Sequence, residues 1–373
     1  MLNRNIRIGF IGCGWITEHA HIPAFISNEK VSICSAFDTE IKKASRLKEK
    51  FDIPNVYDDL NMFLNSGIDA VIIATPNNTH TEYSIKALEH GLHVMCEKPV
   101  AILSEDVKVI IDTAQKKNRL FIPGFVNRFR NDIKKIREYI ESKKIGDVAG
   151  IDAGWFRRSG IPRPGTWFTN KFYSGGGVLI DLGSHVIDIC LMILRDKLPL
   201  YVSLSSSNQN IKTASMNAEW FNGNYVPMLP IDVEDTAIGK IEFEENIFLN
   251  IALSWAADIE GDCTFITVYG SKGSIKLQTL FGFSNDRLRD EDSLVIMEGS
   301  NTINVLLDKE MNNTRNAFSE MAKYFVNAIY ENDISFLSGI DALKTVSLIE
   351  RLYKNEKQQN RIEKYVWRDL LSE

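Results

Sequence analysis

This chain has few cysteines, no cysteine or histidine cluster at metal-ligand spacing, and no long apolar run. The five cysteines in 373 residues are scattered, without a C-x-x-C pair. We therefore expect reduced thiols, no structural metal and a cytoplasmic location. Uninterrupted apolar runs fall short of the roughly 20 residues that span a bilayer. The first of them, residues 8–11, is also too short for a signal peptide. We expect a soluble protein with no membrane role.

An excess of positive charge is also missing. The formal net charge of −6 argues against a nucleic-acid-binding surface, so we expect small molecules as partners. Hydrophobic residues make up 44% and charged residues 25% of the chain, which places it among ordinary globular proteins. The length suits two domains, each with its own core.

Apolar runs of strand length alternate with helical stretches over residues 1–124. Such alternation predicts a parallel, doubly wound sheet and an α/β domain. Beyond residue 124 the pattern changes to period-two strands separated by turn residues, which predicts an antiparallel or mixed sheet. Two helical stretches, residues 313–330 and 340–355, close the chain. We therefore predict a second, α+β domain over residues 125–373, whose last helices can pack back on the first domain.

A glycine pair directly after the first strand predicts a dinucleotide site. Gly12 and Gly14 permit a tight turn and close approach of the backbone to a pyrophosphate, at the start of a helix near Trp15 and Ile16. A threonine replaces the third glycine of the usual fingerprint. Asp38 ends the second predicted strand, where a carboxylate accepts hydrogen bonds from a ribose and repels a 2′-phosphate, or caps a helix. We therefore expect NAD, with NADP possible.

Two later strand ends carry polar residues at the edge where open α/β sheets bind ligands. The residues after the fourth predicted strand are Thr75, Pro76, Asn77 and His80. His80 is also a candidate structural residue in the first turn of a helix. Glu97 and Lys98 follow the fifth strand, directly before Pro99. An isolated Glu-Lys pair is ordinarily solvated, but this one stands after a nucleotide-binding pattern.

A second group of titratable residues lies on a helix predicted over residues 178–194, which is apolar nearly all round. Asp181, His185 and Asp188 fall within about 60° of one another at 100° per residue. A polar wedge on a buried helix faces either hydrogen-bonding partners or a wet pocket. We predict that Asp181 and His185, after a flexible triple-glycine entry, line an active site. For Asp188 we favour an internal Asp–His network.

These motifs resemble the glucose–fructose oxidoreductase / inositol dehydrogenase / rhizopine-catabolism family, abbreviated Gfo/Idh/MocA, over the whole chain. The resemblance is carried by Gly12-Cys13-Gly14, residues 74–80, Cys96-Glu97-Lys98-Pro99, Asn127-Arg128-Phe129, and the glycine triplet followed by Asp181 and His185. It implies an N-terminal Rossmann domain and a C-terminal α+β domain with a large, open, mostly antiparallel sheet. It also implies a nicotinamide between the domains, a cis Lys98–Pro99 bond, and homodimers or homotetramers formed through the outer face of the sheet.

The same resemblance assigns roles to residues. Lys98 corresponds to the family lysine that contacts the substrate hydroxyl, and Asp181 and His185 match its Asp-x-x-x-His pair. Alcohol oxidation needs a base for the hydroxyl proton while a hydride leaves carbon, and either Lys98 or His185 can carry that proton. We expect Glu97 to anchor the loop or the nicotinamide ribose, and Trp167 to lie near the cofactor and substrate.

Basic residues in the segments expected to flank the cleft are candidate ligands for a phosphorylated or carboxylated sugar. Arg128 and Arg157 are predicted to bind substrate, and Arg128 also the cofactor. The other members of this group are Arg158, Arg163 and Lys171. Solvated loop charges are the alternative explanation for each of them.

Three functions are consistent with the sequence. The first is an NAD(P)-dependent dehydrogenase or ketoreductase acting on a secondary alcohol or ketone of a sugar, cyclitol or sugar derivative. The second keeps the cofactor bound, as a glycosidase or sugar–sugar oxidoreductase does. The third is a regulator that senses dinucleotide and sugar without catalysis. The presence of Lys98, Asp181 and His185 together disfavours the third.

Overall fold

The computed structural model describes residues 4–158, 162–211 and 229–358, and six apolar runs within them form a parallel sheet. These strands are β1 (Ile6–Ile11), β2 (Val31–Phe37), β3 (Asn55–Tyr57), β4 (Ala70–Ile73), β5 (His93–Cys96) and β6 (Phe121–Pro123). They are hydrogen-bonded in the order β3-β2-β1-β4-β5-β6. The order reverses between β1 and β4, which opens a crevice at the carboxyl ends of these strands. The predicted doubly wound sheet is confirmed.

Helices connect these strands, as parallel pairing requires. They are α1 (Ile22–Ile26), α2 (Ile41–Phe51), α3 (Leu60–Leu64), α4 (His80–Glu89) and α5 (Ser104–Lys117). The stretch between β1 and α1 is a π-helical turn, Thr17–His21, where the sequence predicts an ordinary helix. Such turns are rare and recur at functional sites. This one leads out of the predicted dinucleotide turn.

A second, larger sheet follows α6 (Asn131–Glu141). Its strands in the described residues are β7 (Val148–Phe156), β8 (Pro199–Ser207), β9 (Thr236–Phe243), β10 (Phe248–Ser254), β11 (Cys263–Gly270), β12 (Gly273–Thr279), β13 (Ser293–Glu298), β14 (Asn301–Val305) and β15 (Glu356–Gln358). Their order is β14-β13-β12-β11-β7-β10-β9-β8-β15, with only β7–β10 and β8–β15 parallel among these pairs. The predicted open, mostly antiparallel sheet is confirmed.

The apolar helix predicted over residues 178–194 has two parts. A π-helical turn, Leu179–Gly183, is followed by α8 (Ser184–Leu194), and a short α7 (Lys171–Ser174) precedes both. The stretch Lys171–Leu194 is long and apolar enough to cross a membrane, although the sequence predicts no such run. Because 89% of its most apolar window is buried inside the protein, it is a core helix.

The last two helices, α9 (Thr314–Glu331) and α10 (Gly339–Lys354), join the two halves of the molecule. Phe318 and Phe325 of α9 belong to the core that surrounds the first sheet. Val346 of α10 belongs to the same core, whereas Leu352 belongs to the core beneath the second sheet. The predicted second domain also includes residues 159–161, 212–228 and 359–373, which lie outside the described residues.

Candidate active site

The glycine turn after β1 is shaped for a dinucleotide. Gly12 has φ +93°, and a Cβ there would lie 2.5 Å from the Ala74 carbonyl oxygen, so a side chain is excluded. Thr17, in place of the third glycine, donates through Oγ1 to the Gly12 carbonyl oxygen at 2.6 Å. A Cβ at Gly14 would meet nothing within 4 Å. Gly14 therefore borders the open space in which a pyrophosphate would approach the backbone, and the turn fits the cofactor.

Asp38 holds this turn from the end of β2. Its Oδ2 accepts a hydrogen bond from the Cys13 N–H at 2.8 Å, and its Oδ1 accepts one from the Glu40 N–H at 2.9 Å. Glu40, not Asp38, is the N-cap residue of α2, which corrects the alternative assignment of Asp38 as a helix cap. A carboxylate has about four acceptor sites, so Asp38 retains acceptors for a ribose.

The two residues after Gly14 have different surroundings. The Trp15 ring stacks on His19, with centroids 4.6 Å apart, and meets Phe283 edge-on at 5.0 Å. Phe283 follows β12 of the second sheet, so the dinucleotide turn touches the other half of the molecule. Ile16 is half-buried against the core that surrounds the first sheet. Their contacts with a cofactor stay predictions.

The segment after β4 is held by His80 and Asn77. The two ring nitrogens of His80 lie 2.7 Å from the Pro99 carbonyl oxygen and 2.8 Å from the Thr75 carbonyl oxygen. His80 therefore ties the β4 and β5 strand ends together, and its ring nitrogens are not available to a cofactor, contrary to its predicted cofactor role. Asn77 donates to the Ser174 carbonyl oxygen at 2.8 Å, which links the β4 end to the second domain.

Pro76 and Thr75 shape the start of this turn. The Pro76 carbonyl oxygen accepts hydrogen bonds from both the backbone N–H and the hydroxyl of Thr79, at 2.9 and 2.7 Å. The Thr79 hydroxyl also lies 2.7 Å from the Thr75 hydroxyl. Thr75 and Pro76 directly follow Ala74, whose carbonyl group packs against Gly12. They therefore border the predicted cofactor crevice.

Lys98 and Asp181 meet across the two halves of the molecule. The Lys98 Nζ donates to the Asp181 Oδ1 at 2.9 Å and to the Asp181 carbonyl oxygen at 3.0 Å. Lys98 stands after β5, and the Lys98–Pro99 bond is cis, as the family resemblance implies. Asp181 lies in the π-helical turn before α8. The predicted pair is thus brought together by a strand end and a helix start.

The second oxygen of Asp181 faces two residues at the ends of parallel strands. Trp255, directly after β10, donates through Nε1 to the Asp181 Oδ2 at 3.0 Å. Arg157, directly after β7, places a guanidinium nitrogen 3.6 Å from the same oxygen, and its guanidinium lies over the Trp155 ring. Burial would raise the pKa of Asp181, but Lys98 and Arg157 outweigh it and lower the pKa to about 2. Asp181 is therefore ionised near pH 7.

His185 is partly exposed, one turn beyond Asp181 on α8. Its Nδ1 is buried and has no hydrogen-bond partner among the described residues, and its ring lies 5.8 Å from the Trp155 ring. Burial and the neighbouring Lys98 charge lower the pKa of His185 to about 3. The imidazole is therefore neutral near pH 7.

Glu97 anchors the segment that carries Lys98. Its Oε1 lies 2.8 Å from Nε2 of the buried His21, and its Oε2 accepts a hydrogen bond from the Lys98 N–H at 3.1 Å. Burial would raise the pKa of Glu97, but the His21 contact outweighs it and lowers the pKa. Since His21 ends the π-helical turn after Gly14, Glu97 connects the dinucleotide turn to Lys98. Its predicted anchoring of the loop is consistent with these contacts.

Arg128 is not part of this cluster, contrary to its predicted cofactor and substrate roles. Its guanidinium is buried and donates to both oxygens of Asp188, at 2.8 and 2.7 Å, and to Asp341. The predicted Asp–His network for Asp188 is therefore wrong, because Asp188 pairs with an arginine. Periodicity along α8 places Asp188 on a helix face but does not identify the residue that packs against it.

The glycine triplet before Asp181 is tightly packed rather than flexible. A Cβ at Gly177 would lie 1.8 Å from the Glu234 carbonyl oxygen, and one at Gly176 would lie 2.0 Å from the Tyr353 hydroxyl. The buried Glu234 carboxylate accepts hydrogen bonds from the N–H groups of Gly177 and Leu179, at 3.0 Å each. These contacts fix the start of the helical stretch that carries Asp181.

The remaining predicted residues lie on the second domain. Trp167 begins a 3₁₀ turn, Trp167–Thr169, and its ring packs on Phe168 at 4.3 Å. Arg158 and Arg163 are exposed, and the Arg158 guanidinium lies 3.7 Å from Asp286. The Lys171 ammonium lies over the Tyr353 ring. Contact of any of them with a ligand stays a prediction.

Sequence reasoning missed three residues of the site: Trp255, His21 and Glu234. In the structure Trp255 directly follows β10, as Arg157 follows β7, and a position at a strand end was a usable signal. His21 and Glu234 gave none, because their roles depend on which elements pack together.

Comparisons with known proteins agree with the two-part fold. The sequence model of an oxidoreductase family with an NAD-binding Rossmann fold matches residues 6–125, and that of the GFO/IDH/MocA C-terminal domain matches residues 133–276. The chain is 28% identical to the D-glucoside 3-dehydrogenase of Escherichia coli (strain K12) over 369 residues, 97% of this chain and 99% of that protein.

Two further relatives are informative. The chain is 25% identical to the glucose-6-phosphate 3-dehydrogenase of Bacillus subtilis (strain 168) over 276 residues, 73% of this chain and 74% of that protein. A solved structure of levoglucosan dehydrogenase in complex with NADH and levoglucosan has a TM-score of 0.79 at 21% identity, covering 94% of this chain and 97% of that one. The latter likeness supports the fold.

Proposed function

Because this chain belongs to the Gfo/Idh/MocA family of NAD(P)-dependent oxidoreductases, we propose that it oxidises a secondary alcohol of an uncharged sugar or glycoside with NAD. The observation that carries the proposal is the Lys98–Asp181 pair, with Nζ and Oδ1 2.9 Å apart, beside a neutral His185. The cofactor, when bound in the Gly12–Gly14 turn, supplies the hydride acceptor.

Lys98 and His185 have separate tasks in this proposal. Two of the three ammonium hydrogens of Lys98 are used by Asp181, through its carboxylate and its carbonyl. The third can donate to the substrate oxygen and stabilise the negative charge that develops on it. His185, one turn beyond Asp181 on α8, is the proposed acceptor of the hydroxyl proton. Asp181 holds the ammonium in place and balances its charge.

Charge pairing favours an uncharged substrate. Among the described residues of the cluster, the two positive charges, on Lys98 and Arg157, are balanced by two negative charges, on Asp181 and Glu97. Arg128, another of the arginines predicted to bind a phosphate, is already paired with Asp188 and Asp341. A substrate phosphate would have to compete with these carboxylates. We therefore place the substrate nearer to that of the D-glucoside relative than to glucose 6-phosphate, and the reacting group at the C3 hydroxyl.

Direct assay of the purified protein tests this function. NAD and, separately, NADP are incubated with methyl glucosides, levoglucosan, myo-inositol and glucose 6-phosphate, and reduced nicotinamide is measured by absorbance. We expect NADH with an uncharged sugar, a 3-keto product by NMR, and at least about tenfold lower kcat/KM with glucose 6-phosphate. If glucose 6-phosphate is the one sugar of this panel that yields reduced nicotinamide, the proposed substrate is contradicted. Sugar conversion without net NADH, by protein that retains its cofactor, identifies the redox-neutral alternative.

Lys98→Met tests whether this cluster is the site of reaction. Methionine keeps an unbranched side chain one atom shorter than lysine and removes the ammonium, so turnover should fall by about 10²- to 10³-fold while NAD binding persists. Equilibrium binding of NAD checks that the dinucleotide turn is intact. Near-normal turnover would exclude Lys98 from the reaction. Lys108→Met, at an exposed residue on α5, is the matched control and should retain activity.

We also propose that the outer face of the large sheet forms the homo-oligomer. Directly opposed residues share a face of a sheet, and one such row across the sheet contains Met297, Tyr269, Phe248 and Tyr201. All four are at least 36% exposed. Light scattering should give a dimer or tetramer for the wild type and a smaller species for Phe248→Glu. An unchanged mass would exclude this face.

We place the enzyme in the cytoplasm, which fractionation of the source cells tests.

A further inference from the structure

The indole of Trp255 is a neutral donor to the Asp181 carboxylate, beside the cationic donor Lys98. Trp255 is fully buried, and its Nε1 donates to the Asp181 Oδ2 at 3.0 Å. We infer that Trp255 is a positioning residue, whose indole N–H fixes the rotation of the Asp181 carboxylate so that Oδ1 faces Lys98. This inference rests on the proposed function.

Each oxygen of the Asp181 carboxylate accepts a hydrogen bond. Oδ1 accepts from Lys98 at 2.9 Å, and Oδ2 accepts from Trp255 at 3.0 Å. The terminal torsion of an aspartate is broad and needs such contacts to be defined. Arg157 already lies 3.6 Å from Oδ2. Without the indole N–H, the carboxylate is free to turn toward this guanidinium, because charge-assisted pairs with arginine are strong. Lys98 would then lose its Oδ1 contact.

The backbone around Trp255 is built to hold the indole in place. The backbone N–H of Trp255 donates to the Asp235 carbonyl oxygen at 2.9 Å. Ser254, the last residue of β10, pairs with Thr236 of β9. β10 and β7 are parallel neighbours, with Ser254 opposite Phe156. Trp255 and Arg157 therefore leave adjacent strand ends in the same direction, which brings both to Asp181.

The chemistry of the indole limits its role to orientation. An indole N–H is a donor only and does not ionise at ordinary pH, so Trp255 is not an acid or a base in the reaction. The charged or titratable groups that face Asp181 are Lys98 after β5, Arg157 after β7 and His185 on α8. The Trp255 hydrogen bond also helps Lys98 and Arg157 to lower the Asp181 pKa.

Replacing the indole with a ring that lacks the N–H tests the inference. Trp255→Phe should lower kcat by about 10- to 100-fold, the usual range for a lost hydrogen bond to a charged group, with KM for the sugar and Kd for NAD changed less than about twofold. Ile251→Val, a buried change on the same strand, is the control for general loss of packing and should keep kcat. Equal kcat for Trp255→Phe and the wild type would overturn the inference.

Two analogues at position 255 keep the test decisive if the phenylalanine variant does not fold. Benzothienylalanine keeps the shape of the indole and replaces its N–H with sulfur, whereas a fluorotryptophan keeps the N–H. We expect low kcat with the first and near wild-type kcat with the second. Equal kcat values for the two analogues would overturn the inference.

A readout without cofactor separates this inference from the proposed function. Trace acylation of lysines in the cofactor-free protein, mapped by mass spectrometry, should label Lys98 faster when the N–H at position 255 is missing, because Nζ is released from Oδ1. Equal labelling rates would overturn the role of Trp255. Absence of turnover by the wild type with every sugar would overturn the proposed function instead, whatever the labelling rates are.

Discussion

Arg128 donates to both carboxylate oxygens of Asp188, through Nε at 2.8 Å and Nη2 at 2.7 Å, with both side chains buried. Nη2 also donates to Asp341 at 3.0 Å, in the first turn of α10. Burial would lower the pKa of Arg128, but Asp188 and Asp341 outweigh it and raise the pKa. The ion pair thus ties the chain leaving the first sheet to α8, which carries His185, and to α10.

Removing Arg128 should therefore destabilise the protein strongly. Arg128→Met leaves the Asp188 charge buried without its partner, a change that typically costs about 3–5 kcal/mol. Urea unfolding measures it. Adding Asp188→Leu should restore much of the loss, because no charge is then stranded. Arg4→Met, which breaks an exposed pair with Asp69, should leave the unfolding midpoint nearly unchanged. Equal effects of the buried and exposed changes would contradict this reading of the ion pair.

Two glycine substitutions should separate cofactor binding from folding. A Cβ at Gly14 meets no atom within 4 Å, so Gly14→Ala should fold normally but weaken NAD binding by roughly tenfold or more, since the methyl enters the space of the pyrophosphate. A Cβ at Gly177 would lie 1.8 Å from the Glu234 carbonyl oxygen, so Gly177→Ala should fold poorly. Calorimetric titration with NAD and thermal unfolding check both. Unchanged NAD affinity in Gly14→Ala would place the cofactor elsewhere.

The sequence predicts those parts of the site that depend on one strand end or one motif. Gly12, Lys98 and Asp181 follow from short local patterns, and the structure places Gly12 directly after β1 and brings Lys98 and Asp181 into contact. Arg128 shows the limit of this reasoning, because an arginine in a loop looks the same whether it faces substrate or a buried carboxylate. Its partner Asp188 lies 60 residues later and is identified only by packing.

The face of the helix that carries Asp181 and His185 illustrates a second limit. Its prediction assumes 100° per residue, but Leu179–Gly183 is a π-helical turn with a wider repeat. Asp181, within this turn, contacts Lys98 and Trp255, whereas Asp188 on α8 contacts Arg128. The tight glycine packing against Glu234 supports this turn, and no local sequence pattern reports such a contact.

Asp38 should determine the preference for NAD over NADP. Asp38→Asn keeps an oxygen that can accept from the Cys13 N–H and removes the negative charge that repels a 2′-phosphate. The ratio of kcat/KM for NAD to that for NADP should fall by about tenfold or more, mainly because kcat/KM for NADP rises. Asp38→Ala also loses the Cys13 contact and should in addition weaken NAD. An unchanged ratio in the asparagine variant would limit Asp38 to holding the turn.

His93 should make the protein less stable in mild acid. Its Nδ1 accepts a hydrogen bond from the Leu120 N–H at 3.1 Å, which requires an unprotonated nitrogen, and burial and Arg119 lower its pKa to about 4. The unfolded chain, with a histidine pKa near 6.5, binds the proton first as pH falls. The stability that His93 contributes is therefore complete above about pH 6.5 and is lost as pH falls toward 4, by about 2 kcal/mol at pH 5.

Substitution isolates this contribution from those of other groups. His93→Asn places an oxygen near the position of Nδ1, can accept from Leu120 and does not titrate. Urea unfolding at pH 7 and pH 5 should show a smaller loss for His93→Asn than for the wild type, by about 2 kcal/mol. His80 and His185, whose pKa values are also lowered by burial, remain in both proteins, so their acid sensitivity cancels in the comparison. An equal loss in the two proteins would mean that His93 does not stay neutral in the folded state at pH 5.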